Sequence, residues 1–383
     1  MTADARSATP FLDRRLPLPR RTFFARMAVP AMVAVVVVCG VVGAFAFAAS
    51  RGWLEGDRFD RLLETFFSLR GVLFMLAVFG VYVAIIVIHE SGHVLGGLLG
   101  GFRFEYLRVS LFIIHRAKGI SLDRNFVNLV TGEARMSPPP DAASHGPYIV
   151  MVAGGVAANL IAAAIVGAVA TSLMAKVFVG LSVIVAFFEL LPVETQRAVT
   201  DGGRLRMLLF DRERGARWVA ILQLLAESAA GTVPQKMSAR WIGAATAIRD
   251  GSADTVSAHA LAYAAALSNR AFTEAGELMD VCLQFVAHGR PGIREALISD
   301  AVVYQAGVRH APELAMAWLQ DLPRKAPAWF RVRAEAATLE EGGLFMDAWT
   351  KLDALEKTLV STDPRLPLIR NWKAGLQNRS NAQ

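Results

Sequence analysis

Long stretches without a single charge alternate in this chain with stretches dense in charge. Residues 27–49 carry no charged side chain over 23 positions. In a second apolar run, 71–102, the only acidic, basic or imidazole side chains are His89, Glu90 and His93. A third uncharged run covers 146–175, and after Lys176 the apolar character resumes toward Val193. A helix rises ~1.5 Å per residue and the hydrocarbon core of a bilayer is ~30 Å thick, so about 20 apolar residues make one crossing. The stretch 146–193 is too long for one crossing and divides into two, near 147–170 and 174–194. Inside lipid every backbone amide must be paired within the segment, which leaves helices as the economical choice.

The fold class expected is therefore mostly α: a polytopic membrane protein with four transmembrane helices and a short β segment at the membrane surface. An all-α soluble domain completes it. Three parts follow. Residues 1–26, with six Arg, two Asp and three Pro, read as a disordered basic arm. Residues 27–210 form the four-span membrane domain. Residues 211–383, rich in Ala, Leu, Arg and Glu, read as a helical domain. The hydrophobic share of 54% and a mean hydropathy of +0.40 exceed what an ordinary soluble protein shows. The basic arm followed by an apolar run has the outline of a signal peptide, but 23 residues exceed the usual apolar core of one.

Between the second and third runs the pattern changes. Residues 102–109 alternate with a period near two and 109–114 are β-rich, so short strands or hairpins are expected before Pro138-Pro139-Pro140. Their edge offers a place for an extended peptide to add as a strand. Gly92, Gly96 and Gly100 recur every four residues, spacing that lets another helix approach closely.

The net charge of +7 comes mostly from arginines flanking the apolar runs. It fits anionic lipid headgroups and the positive-inside rule, and no nucleic-acid-binding motif accompanies it. By that rule the basic arm is cytoplasmic. Four crossings return the C-terminus to the cytoplasm, and the second and fourth spans both end there. Cys39 and Cys282 are too far apart in kind and position to suggest a disulfide framework or zinc knuckle; both read as buried free thiols.

Ile88-His89-Glu90-Ser91-Gly92-His93 is an H-E-x-x-H motif placed inside the second span. On a helix, positions i and i+4 share a face, so both imidazoles reach one metal ion and the adjacent carboxylate reaches water activated there. Ionisable groups at membrane depth are functional candidates by default. A catalytic zinc needs three protein ligands and an open position. His89 and His93 supply two, Asp201 after the last span is the best third, and Glu90 is the candidate general base. Asn159, the lone amide of the third span, reads either as an interhelical hydrogen bond or as a contact to a substrate backbone. His115 and His145 read as interfacial side chains, with a ligand role as the alternative.

On these residues the membrane half resembles the site-2 protease family of intramembrane zinc metalloproteases. The resemblance rests on His89-Glu90-Ser91-Gly92-His93, on Gly154 to Asn159, and on Leu191-Pro192 with Asp201-Gly202-Gly203, and covers about residues 70–210. It implies zinc held by His89, His93 and Asp201, Glu90 as base and Asn159 as a substrate-orienting residue. It also implies peptide-bond hydrolysis in or beside the membrane-spanning segment of an anchored regulator, such as an anti-sigma factor or tethered transcription factor, in a bacterial inner membrane. Two departures stand out. Glu189 occupies a position where the family often has Asn, and twelve positions separate it from Asp201, an interval that makes Glu194 a fallback ligand.

The C-terminal region carries a weak repeat. Ala275, Ala315 and Ala348 follow similar turn-like segments at spacings of 40 and 33, close to tetratricopeptide arrays, with a plain helical bundle as the alternative. It offers a surface to a cytoplasmic protein partner. A catalytically inactive membrane scaffold that recruits partners through this region is the competing reading of the whole chain. Seven histidines, three of them beyond residue 250, are too few for a di-iron membrane oxidase, and a metal transporter would need polar residues spread through its spans.

Overall fold

The computed structural model describes residues 9–19, 68–117, 119–123, 128–194, 199–289, 292–360, 363 and 365–382. The expected first span at 27–49, and Cys39 within it, lie outside these residues. Among the described residues the chain is mostly helical, with one small sheet. It divides into two compact units, 22–230 and 1–21 with 231–383.

Among its described residues the first unit holds three helices long and apolar enough to cross a membrane: α1 (Leu69–Leu99), α2 (His145–Val169) and α3 (Leu173–Leu190). Their apolar windows have mean hydropathies of 2.8, 2.4 and 2.1. Leu73, Phe74, Met75, Leu76 and Phe79 on α1 remain exposed, which suits a lipid-facing surface. The four-residue glycine spacing is explained by α2. A Cβ at Gly92 or at Gly154 would collide with the other's carbonyl, and one at Gly96 would strike the Val150 carbonyl. Bare backbones let the two helices touch where the histidines stand. At its end α1 closes in a Schellman arrangement: Phe102 N–H donates to Gly97 C=O and Gly101 N–H to Leu98 C=O, with Gly101 at φ 80°.

The β-rich segment forms an antiparallel sheet of β1 (Arg103–Val109), β2 (Phe112–His115), β3 (Gly119–Leu122) and β4 (Gly132–Ser137), in the order β3-β2-β1-β4. Val109 pairs with both Phe112 and Gly132. Among the described residues β4 is therefore a terminal strand. It packs on α1, where Gly97 leaves room for the Met136 side chain.

After α3 come α4 (Asp201–Phe210) and α5 (Arg212–Ala229). The soluble part was expected from residue 211, yet α5 belongs to the membrane unit. Trp218 meets Tyr148 of α2 edge-on at 6.0 Å, and Gln223 Nε2 donates to Pro139 C=O at 2.9 Å and to Tyr148 Oη at 3.1 Å. This polar-looking helix is held by its buried aromatic and amide side chains.

The second unit contains α6 (Ala239–Thr246) and three helical hairpins: α7 (Ala253–Ser268) with α8 (Phe272–Gln284), α9 (Ile293–Gly307) with α10 (Pro312–Asp321), and α11 (Ala328–Glu341) with α12 (Phe345–Glu356). Helix α13 (Leu366–Asn381) follows. Ala275, Ala315 and Ala348 all lie on the second helix of a hairpin at 0% exposure. Five residues before each stands a residue in the left-handed region: Arg270 at φ 60°, His310 at φ 51° and Gly343 at φ 76°. One turn geometry is thus used three times. Gly343→Ala is expected to destabilise this unit by about 1 kcal/mol and Arg270→Gly to stabilise it by a similar amount, read from denaturant midpoints. Cys282 is free and fully buried, and burial pushes its thiol well above the usual range.

The basic arm, expected to be disordered, is structured over its described part. Residues 9–19 form a turn that joins the second unit and places Leu12 in its main apolar core at 0% exposure.

Candidate metal and catalytic site

His89 stands twenty residues into α1, about 30 Å along its axis at ~1.5 Å per residue. One helical turn separates it from His93, and the two rings meet edge-on with centroids 4.7 Å apart. Asp201 arrives from another element. Thr200 caps α4, its Oγ accepting from Gly203 N–H and donating to Leu191 C=O, so Asp201 becomes the first residue of the helix. Gly202 and Gly203 serve close approach. A Cβ at Gly202 would collide with the Leu190 carbonyl at the end of α3.

The result is a tight convergence of three ligand atoms. His89 Nε2 and His93 Nε2 are 3.1 Å apart, and Asp201 Oδ2 lies 3.2 Å from the first and 3.3 Å from the second. His93 Nδ1 lies 3.0 Å from Met151 C=O and donates its proton there, so its Nε2 presents a lone pair to the centre. Asp201 Oδ2 is buried and has no hydrogen-bond donor. Three ligand atoms converging this closely form a centre that a cation fits. A tetrahedral ion with bonds of about 2.0–2.1 Å sets its donor atoms about 3.3 Å apart, close to the three separations here. Among the described residues, this is the one group of His, Cys, Asp or Glu side chains so placed.

Space for the imidazoles is made by Gly155 of α2. A Cβ there would lie 2.5 Å from His93 Nε2 and 2.8 Å from His89 Nε2. Asn159, one turn further along α2 and 0% exposed, has its amide Nδ2 3.2 Å from His89 Nδ1, while its Oδ1 has no partner. Asn159 thus makes an interhelical contact, and that contact is to a site histidine. Asn159→Ala is expected to weaken metal affinity about 10–100-fold by releasing the His89 ring, measured by competition with a chromogenic chelator.

Glu90 is 8% exposed, and Gly132 at the start of β4 presses on it: a Cβ at Gly132 would collide with the Glu90 carboxylate. The sheet therefore lies directly against the acid. Glu189, from the end of α3, is half-buried and within electrostatic reach of Asp201, His89 and Glu90. Sequence reasoning treated Glu189 only as a departure from a pattern; its position three residues before Pro192, ending an apolar helix, was the available signal. Glu194 pairs instead with Arg214 at 2.5 Å. His115 lies 3.1 Å from Ser121 Oγ, and His145 Nδ1 donates to Leu208 C=O at 2.9 Å; neither joins the group.

Compared with protein-family models, with curated proteins and with solved structures, the chain matches none.

Proposed function

We propose that the protein is an intramembrane zinc metalloprotease of the site-2 protease type, hydrolysing a peptide bond in or beside the membrane-spanning segment of an anchored regulator. The observation that carries this reading is the meeting of His89 and His93, on an apolar helix, with Asp201 at the start of α4, their ligand atoms within 4.8 Å of one another and Glu90 next to His89 in the chain. Two imidazoles and a carboxylate, with no thiolate, form the donor set of a hydrolytic rather than a structural zinc site. A bound zinc lowers the pKa of water at the site and polarises a carbonyl. His89, His93 and Asp201 would hold the ion. A ligating His89 would carry its proton on Nδ1, and Asn159, whose Nδ2 now faces that atom, would accept the proton and fix the tautomer once its amide turns to present Oδ1. Glu90 takes the proton from the attacking water and delivers it to the departing amine nitrogen.

Hydrolysis requires an extended substrate, because a helix hides its carbonyls in its own hydrogen bonds. The terminal strand β4 offers a pairing edge, and its first residue touches Glu90. A substrate segment unwound from its helix and added to β4 would reach the acid in the conformation needed.

We infer a cytoplasmic mouth near His93 in a bacterial inner membrane. The segment before the apolar run 27–49 contacts the helices after residue 231, which supports an even number of crossings between them. Three candidate spans and that run make four. The repeated hairpins support a tetratricopeptide-like role for the second unit as a binding surface for a cytoplasmic protein. Purified protein is expected to contain about one zinc per chain, to lose it with Asp201→Ala, and to regain cleavage after chelation only when zinc is returned. A protein without stoichiometric metal would favour the inactive scaffold.

A further inference from the structure

The turn at residues 9–19 is held in a way that packing alone does not require. Asp13 N–H donates to Thr9 C=O and Arg15 N–H to Pro10 C=O, closing one turn, and Arg14 at φ 58° leads the chain out. The Oδ1 of Asp280 on α8 accepts from the N–H groups of Phe11 at 2.7 Å and Leu12 at 2.8 Å. Leu12 C=O accepts from Gln305 Nε2 of α9 at 3.0 Å and from Trp318 Nε1 of α10 at 2.9 Å. Side chains from three helices thus engage both polar groups of one residue's backbone, while its side chain enters the core.

The flanks are read by charge. Arg309 pairs with Asp13 and donates to Thr9 Oγ at 3.0 Å. Arg14 pairs with Asp321 at 2.7 Å and lies over the Trp318 ring at 5.1 Å. Asp280, Gln305 and Trp318 are 6%, 0% and 1% exposed. Burial pushes the Asp280 carboxyl up, and the two amides of the turn pull it back. Main-chain hydrogen bonds, a pocket for one apolar side chain and charges at each end are the parts of a peptide receptor.

We propose that the helical unit is a peptide receptor for a leucine-anchored turn of the pattern Thr-Pro-Phe-Leu-Asp-Arg, and that residues 9–14 of this chain are its tethered occupant. Its occupation ties the start of the chain to the unit after residue 231. A tethered segment acts at an effective concentration in the millimolar range, so only a peptide of the same chemistry, in excess or tighter, displaces it. The unit is then a switch whose resting ligand is built in. This inference stands apart from the hydrolytic reading of the membrane unit.

The test uses the full-length protein in detergent and a labelled peptide of residues 8–19. By fluorescence anisotropy the peptide is expected to bind a chain lacking residues 2–19 saturably, and to bind the wild-type chain at least about tenfold more weakly because the tether competes. The Leu12→Asp peptide should bind neither. Equal binding to both chains, or no binding to a truncated chain that still melts cooperatively, overturns the proposal. Where truncation prevents folding, trypsin cleavage after Arg14 in the wild-type chain decides: added peptide should accelerate it about fivefold or more by displacing the segment. A cleavage rate that excess peptide leaves unchanged means the turn is a fixed part of the core, and the receptor reading fails.

Discussion

Replacing Glu90 by Gln is expected to lower hydrolytic turnover by about 10²–10⁴-fold while leaving metal content and fold in place. The substitution keeps the shape of a side chain that is 8% exposed and pressed by Gly132, so packing against β4 is retained. It removes only the ability to take and return a proton. His89, His93 and Asp201 do not depend on Glu90 for their convergence, which is set by α1, by the cap on α4 and by the bare backbone of Gly155. Stoichiometric metal with no turnover is therefore the expected signature. Loss of metal together with activity would mean that Glu90 ligates rather than acts as base.

Gly155→Val is expected to empty the site, leaving below about a tenth of an equivalent of metal per chain, because ligands must be held within about 0.5 Å of productive geometry. A single Cβ there already lies 2.5 Å from His93 Nε2 and 2.6 Å from its Cε1, and the branched side chain adds two more carbons. The rings cannot withdraw without losing the Met151 and Asn159 contacts that orient them. Gly167→Val on the same helix is the control: its nearest neighbour would be Val179 at 3.6 Å, an ordinary contact, and metal should stay bound. Elemental analysis of the two purified variants separates a local clash from general damage to α2. Equal metal in both would show that the imidazoles are not held as described.

Much of this was legible in the sequence because the bilayer simplifies the problem. Long uncharged runs declare helices, and an H-E-x-x-H motif within one declares a site, since His89 and His93 share a face by periodicity alone. The partners from other elements were harder to assign. Asp201 was reached through the need for a third ligand. Asn159 stood out as a lone amide, but periodicity cannot say that its neighbour is His89. Gly155 is one of several glycines in α2, and only the packed structure shows which of them makes room for the rings. The charge on α5 gives no sign that Trp218 and Gln223 pack that helix against Tyr148 of α2. The arm looked disordered because arginines and prolines dominate it. Its single anchoring residue, Leu12, draws on Asp280, Gln305 and Trp318, all more than 260 positions away.

The most direct test of the hydrolytic reading compares membrane fractions of cells carrying the wild-type protein with those carrying Glu90→Gln. Fragments that span the membrane once and have lost their outer domain are the objects to compare. If the account is right, such a fragment accumulates with Glu90→Gln and disappears with the wild type, and its new terminus in the wild-type cells lies in or beside its apolar segment. Identical fragment patterns in the two strains, under conditions that provoke membrane stress signalling and with metal bound in both proteins, would contradict it.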